Sequence, residues 1–175
     1  MGTISFYLTA TVAILSTAMV IFNRNAVHAL LYLVVSLLAV AVIFYQYGAP
    51  FAAALEVIVY AGAIMVLMVF VIMILNQGAA AVEQESRWLQ PRSWTGPAIL
   101  SAVLLVQLVV LLGSDGAITA GTPGTIGPRE VGIALFSQYV LAVELASMLL
   151  LAGLVGAFHL ARQRHADSGE VEGAD

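Results

Sequence analysis

The 175-residue chain has no cysteine, no lysine and little charge of either sign. Without cysteine it holds no disulfide, no thiolate metal site and no cysteine-ligated iron–sulfur cluster. Six arginines are its only strong cations and the formal net charge is −4, which excludes electrostatic docking on nucleic acid or on an anionic surface. Missing too are a nucleophile triad, a phosphate-cradling glycine loop and a cluster of metal ligands, so no covalent chemistry is expected of this chain alone. The amino terminus carries no Arg ahead of its first apolar run and no polar, small-residue cleavage region after it. It is expected to stay as a span rather than leave as a signal peptide.

What is present is apolar. Hydrophobic residues make up 62% of the chain, charged ones 9%, and the mean hydropathy is +1.02. A hydrocarbon core about 30 Å thick needs roughly 20 apolar residues in helix. Five runs meet that length, near 2–22, 27–47, 51–76, 95–113 and 134–160. Turn or polar chemistry separates them at Asn23-Arg24-Asn25, Gly48-Ala49-Pro50, Gln77 to Ser93 and Ser114 to Arg129. Barrel strands would alternate in polarity, and lipid forbids an open sheet edge, so the fold class is all-α. The expectation is one five-helix membrane domain over residues 1–165 and a disordered acidic tail over 166–175. Arginine in short loops marks the inner side. With the amino terminus outside, the inner segments hold Arg24, Arg87, Arg92, Arg162 and Arg164 and the outer ones only Arg129, which puts the carboxyl terminus in the cytoplasm.

Two carboxylates lie inside spans, Glu56 early in the third and Glu144 in the fifth. An ionised carboxylate at the bilayer centre costs roughly 2.5–3.5 kcal/mol on insertion scales unless it is neutral, paired or beside water. Such acids are either protonated and hydrogen-bonded to a neighbouring helix or part of a proton route, and the second use is the commoner. Regular helical spacing puts Glu56, Tyr60, Ala63 and Leu67 on one stripe, with the Glu56–Tyr60 pair expected to face inward. Ala61-Gly62-Ala63 follows, small enough for close approach of another helix and, at Gly62, for a relaxed backbone. A third span of about 26 residues is about 39 Å long as straight helix, longer than the core requires. Tilt absorbs the excess, and so does a π-bulge, a form frequent at functional sites.

The other polar residues are weaker candidates. His28 and His159, at the inner ends of spans two and five, are expected as interfacial anchors rather than ligands, and Trp88 and Trp94 as anchors of the same kind. The pairs Ala152/Gly156 and Gly153/Ala157 have the small-xxx-small spacing of helix packing.

The stretches "NAVHALLYLVVSLLAVAVIFYQYGAPFAAALEVIVYAGAIMVLMVFVIMILN", "EQESRWLQPRSWTGPAILSA" and "YVLAVELASMLLLAGLVGAFH" resemble the J-subunit family of the bacterial proton-pumping NADH:quinone oxidoreductase, respiratory complex I. Mitochondrial NADH dehydrogenase subunit 6 is the counterpart. The resemblance covers nearly the whole chain, with Ala26 standing where the family often has proline. It implies a non-catalytic, multi-pass subunit of a translocase in the bacterial plasma membrane, among other membrane subunits of the complex. Implied in the same way are FMN, iron–sulfur clusters and quinone carried by other subunits, with no cofactor or metal in this one. It further implies proton-relay roles for Glu56, Glu144 and Tyr60, and a helix switch at Tyr60, Ala61, Gly62 and Ala63, where a π-bulge forms and relaxes. A subunit of a related multi-subunit cation/proton antiporter or membrane-bound hydrogenase, or a plain scaffold bundle, remains open beside that reading.

Overall fold

The computed structural model describes residues 2–23, 26–75, 91–113 and 124–171. Among these there is no strand, and five helices are long and apolar enough to cross a membrane: Thr3–Phe22, Ala26–Gln46, Pro50–Ile74, Trp94–Gly113 and Val140–Arg162. Arg24, Arg87 and Trp88 lie outside the described residues. The chain divides into two units, Met1–Gly127 and Pro128–Asp175.

In the first unit, α1 spans Gly2–Phe22 and α2 Ala26–Gln46. The chain then turns through Tyr47 and Gly48 into α3. Helix α3 begins at Pro50, whose missing N–H costs nothing in a first turn. It is α-wound over Pro50–Leu55, π-wound over Glu56–Ile64 and α-wound again over Met65–Leu75. Helix α4 covers Pro91–Gly113 and carries Pro97 in its first half.

Helix α2 is the centre of this unit. It packs on α1, α3 and α4, and its buried residues include His28, Tyr32, Val35, Ala39 and Val42 along one face, with Leu30 and Ala41 on the opposite one. Val35 and Ala39 meet Val12 of α1 and Leu104 of α4 in a small apolar core, bordered by Ala13, Leu38, Leu100 and Val103. Ala39 is wholly buried, and its single methyl group lets the three helices close in. Three hydroxyls of α1 are met by its own backbone: Thr9, Thr11 and Thr17 each donate to the carbonyl four residues back. Thr17 Oγ1 also meets Ser36 Oγ at 2.7 Å, tying α1 to α2.

The His28 anchor expectation fails. That residue is 5% exposed, with its ring edge-on to Trp94 at 6.2 Å between centroids. A helix with neighbours on two sides buries even its first turn.

The second unit holds α5, Pro128–Ser137, and α6, Val140–Val171. The single span expected near 134–160 is therefore divided. At the division Tyr139 donates its N–H to Ala134, five residues back, and Gln138 donates to the same carbonyl. The ladder resumes with Val143 bonded to Tyr139. Helix α6 continues to Val171, into the stretch expected as a disordered tail; residues 172–175 lie outside the description.

Candidate functional site

The π-wound stretch begins on the membrane carboxylate. Leu55 and Glu56 are helical on either side of the junction, and the Glu56 N–H is shared between the carbonyls of Ala52 and Ala53. At the far end the Met65 N–H bonds to Tyr60, five residues back, in the i→i−5 pattern that defines π winding. All four switch candidates, Tyr60, Ala61, Gly62 and Ala63, lie in this stretch.

Gly62 is matched to that winding. A Cβ built there would stand 3.1 Å from the carbonyl oxygen of Val57, again five residues back. Glycine lets that carbonyl approach, whereas any other side chain must push it away.

The chain by itself covers this pair only in part. Glu56 is half-buried, but Tyr60 is 51% exposed. Ile58, Val66 and Leu67 are more exposed still, while Ala53 and Met65 are the buried residues of α3. Helix α3 thus touches α2 along one edge and offers Tyr60 and the rest of the π stretch to whatever surrounds the chain.

Glu144 sits on α6 in the second unit and is exposed, as is Ser147, whose hydroxyl donates to the Glu144 carbonyl at 2.7 Å. A Cβ at Gly153 or Gly156 would meet nothing within 4 Å. Within their own unit the small-xxx-small pairs of α6 are therefore unused for packing. His159 is exposed on the same helix. Among the described residues no group of His, Asp and Glu is placed to hold a metal ion.

Sequence reasoning missed a polar joint between α1, α2 and α4. Gln107 Nε2 donates to Ser5 O at 2.6 Å, Ser5 Oγ at 2.9 Å and Thr9 Oγ1 at 2.5 Å. Gln46 Nε2 donates to Thr9 Oγ1 at 3.0 Å and Ser5 Oγ at 3.3 Å. The orientation of the Gln107 amide follows from its partner. Ser5 O can only accept, so Gln107 presents nitrogen to it. The Oε1 atoms of both glutamines are buried without a partner. The signal in the sequence was two glutamines inside apolar runs, Gln46 and Gln107.

A model of one protein family, described as NADH-ubiquinone/plastoquinone oxidoreductase chain 6, matches residues 16–160. The chain is 58% identical over 168 residues to the NADH-quinone oxidoreductase subunit J of Escherichia coli (strain K12), covering 95% of this chain and 89% of that one. It is 57% identical over 159 residues to the subunit J of Pseudomonas aeruginosa, covering 91% and 96%. With the subunit J of Buchnera aphidicola subsp. Schizaphis graminum the identity is 47% over 161 residues, covering 91% and 97%.

Proposed function

Because this chain belongs to the NADH-ubiquinone/plastoquinone oxidoreductase chain 6 family, we propose that it helps couple quinone reduction to proton translocation as a membrane-arm subunit of respiratory complex I. The membrane is the bacterial plasma membrane, with the amino terminus outside and the carboxyl tail in the cytoplasm, as the arginine distribution favours. FMN, iron–sulfur clusters and quinone belong to partner subunits. Relatives that match over almost their whole length carry the quinone oxidoreductase name, which favours this reading over an antiporter or hydrogenase subunit.

The observation that carries the mechanism is the π winding of Glu56–Ile64, which opens on an intramembrane carboxylate. Glu56 and Glu144 bind and release protons within a chain of carboxylates and waters completed by partner subunits, with the Tyr60 hydroxyl as a donor beside the first. Helix α3 changes between π and regular α winding at Tyr60 to Ala63. A change of one residue per turn rotates everything beyond it by about 100° relative to what precedes it. The apolar wall from Ile64 to Phe70 then swings against the neighbourhood of Glu56, admitting or excluding water.

The test is the assembled complex carrying Glu56→Gln together with Glu144→Gln. Proton pumping should fall while assembly is retained. An assembled double variant that reduces quinone and pumps at the parental rate would return both carboxylates to a packing role.

A further inference from the structure

The polar joint and the turn into α3 are parts of one clamp. Gln46 is the last residue of α2, so its two bonds to α1 hold the chain immediately before the turn. At the turn, Gly48 adopts φ +77°, a conformation open to glycine. The turn is pinned from three sides. Tyr47 lies edge-on to Phe6 of α1, with ring centroids 5.7 Å apart. Ile126 donates its N–H to the Gly48 carbonyl at 2.9 Å. The carbonyl of Gly124 stands 3.1 Å from where a Gly48 Cβ would be. Regular bonding picks up at once, with Ala53 N–H to Ala49, and one short α segment, Pro50–Leu55, separates the turn from Glu56.

Beyond the π stretch the contrast is plain. Val66, Leu67, Met68, Phe70, Val71, Met73 and Ile74 are exposed, and Met65 is buried. One end of α3 is fastened through three other parts of the unit, whereas the other packs on α2 with Met65 buried and only Val69 and Ile72 half-buried beside it among the described side chains.

We infer that Thr9, with Ser5, Gln46 and Gln107, is a positioning site for Glu56. Its hydroxyl gathers both amides and holds the α2–α3 turn, so that a change of winding in Glu56–Ile64 turns the Met65–Leu75 half and leaves the carboxylate in place. Thr9 is the keystone, being wholly buried and bonded to both glutamines. The inference rests on the switching helix proposed above.

Thr9→Val in the assembled complex tests it, because valine keeps the shape and removes the oxygen. The expected result is a complex that assembles, pumps fewer protons per quinone reduced, and passes from its resting to its active form at a rate altered by roughly fivefold or more, the scale supported by losing the amide bonds of both Gln46 and Gln107 to Thr9. Thr9→Ser, which keeps the hydroxyl, should restore the proton ratio. Should Thr9→Val fail to assemble, Gln107→Met carries the same expectation from the half-buried side of the joint, and Ile126→Pro removes the donor to Gly48 independently.

An assembled variant with parental ratio and parental conversion rate overturns the inference, as does Thr9→Ser behaving like Thr9→Val. Gly62→Val, measured in parallel, separates the two ideas. If it alters conversion while the joint variants do not, the positioning role fails and the switch stands. If neither alters it, the switch fails and takes the positioning role with it.

Discussion

Met65 gives its backbone proton to the carbonyl of Tyr60, where a regular α-helix would give it to Ala61. This displacement by one residue separates the half of α3 that carries Glu56 from the half that carries Met65, and the side chains between them decide how readily it is undone.

Gly62 is the most sensitive of these. The close approach of the Val57 carbonyl means that even one methyl group presses on the π winding, and alanine also favours regular helix over glycine by about 1 kcal/mol. Gly62→Ala should therefore shift α3 toward α winding, and Gly62→Val should shift it further because its branched side chain is stiff at χ1. The resting-to-active conversion rate of the assembled complex, and the winding of α3 in its resolved states, should both follow the order Gly, Ala, Val. Parental conversion in Gly62→Val with unbroken α winding in every state would remove the switch.

Single neutralisations of the carboxylates should be milder than the pair. Groups that share a hydrated network substitute for one another, so Glu56→Gln and Glu144→Gln are expected to be non-additive in pumping rate. Strictly additive losses would mean that the two acids work on separate routes.

Gly96 predicts a stability effect away from the switch. A Cβ there would fall well inside contact distance of the Tyr32 hydroxyl, and Tyr32 is buried between α2 and its neighbours. Gly96→Ala should cost about 1–3 kcal/mol, the usual range for overpacking, read as lower yield of assembled complex or an earlier thermal transition. Tyr32→Phe in the same chain removes the clashing oxygen and should recover part of the loss. No recovery would place the fault in the helix backbone instead.

The proposed orientation is open to direct labelling because the chain has no cysteine of its own. Cysteines placed at Gly121 and Gly169 should react with an impermeant reagent from opposite faces of the membrane. Reaction of both from one face would overturn the five-span topology.

Much of this architecture is written in composition. Runs such as Ala26–Gln46 and Met65–Leu75 are apolar on every side, which leaves helix as the one lipid-compatible form. Glu56 was conspicuous for the opposite reason, as an acid in an apolar run. The extent of π winding was not legible, because Val57, Ile58 and Val59 suit either winding and the choice lies in which carbonyl each N–H reaches. Nor was the burial of His28, since a first-turn histidine looks the same whether water or Trp94 faces it. The Thr9 joint was hidden for a related reason: its members stand in three different spans, and only packing brings them to one oxygen.

The joint also sets an order in time. Gln46 meets Ser5 and Thr9 as soon as the first two helices are in the membrane, whereas Gln107 reaches back across 102 residues to Ser5 and Ile126 follows later still to close on Gly48. A ribosome delivering this chain into the bilayer therefore releases a hairpin that is already cross-bonded, followed by a third helix whose entry turn is fastened only on the α1 side until the fourth has crossed. The fastening of α3 is completed late in biogenesis, and chains truncated before Gln107 should insert their first two helices and leave the turn into the third without its Gln107 and Ile126 bonds.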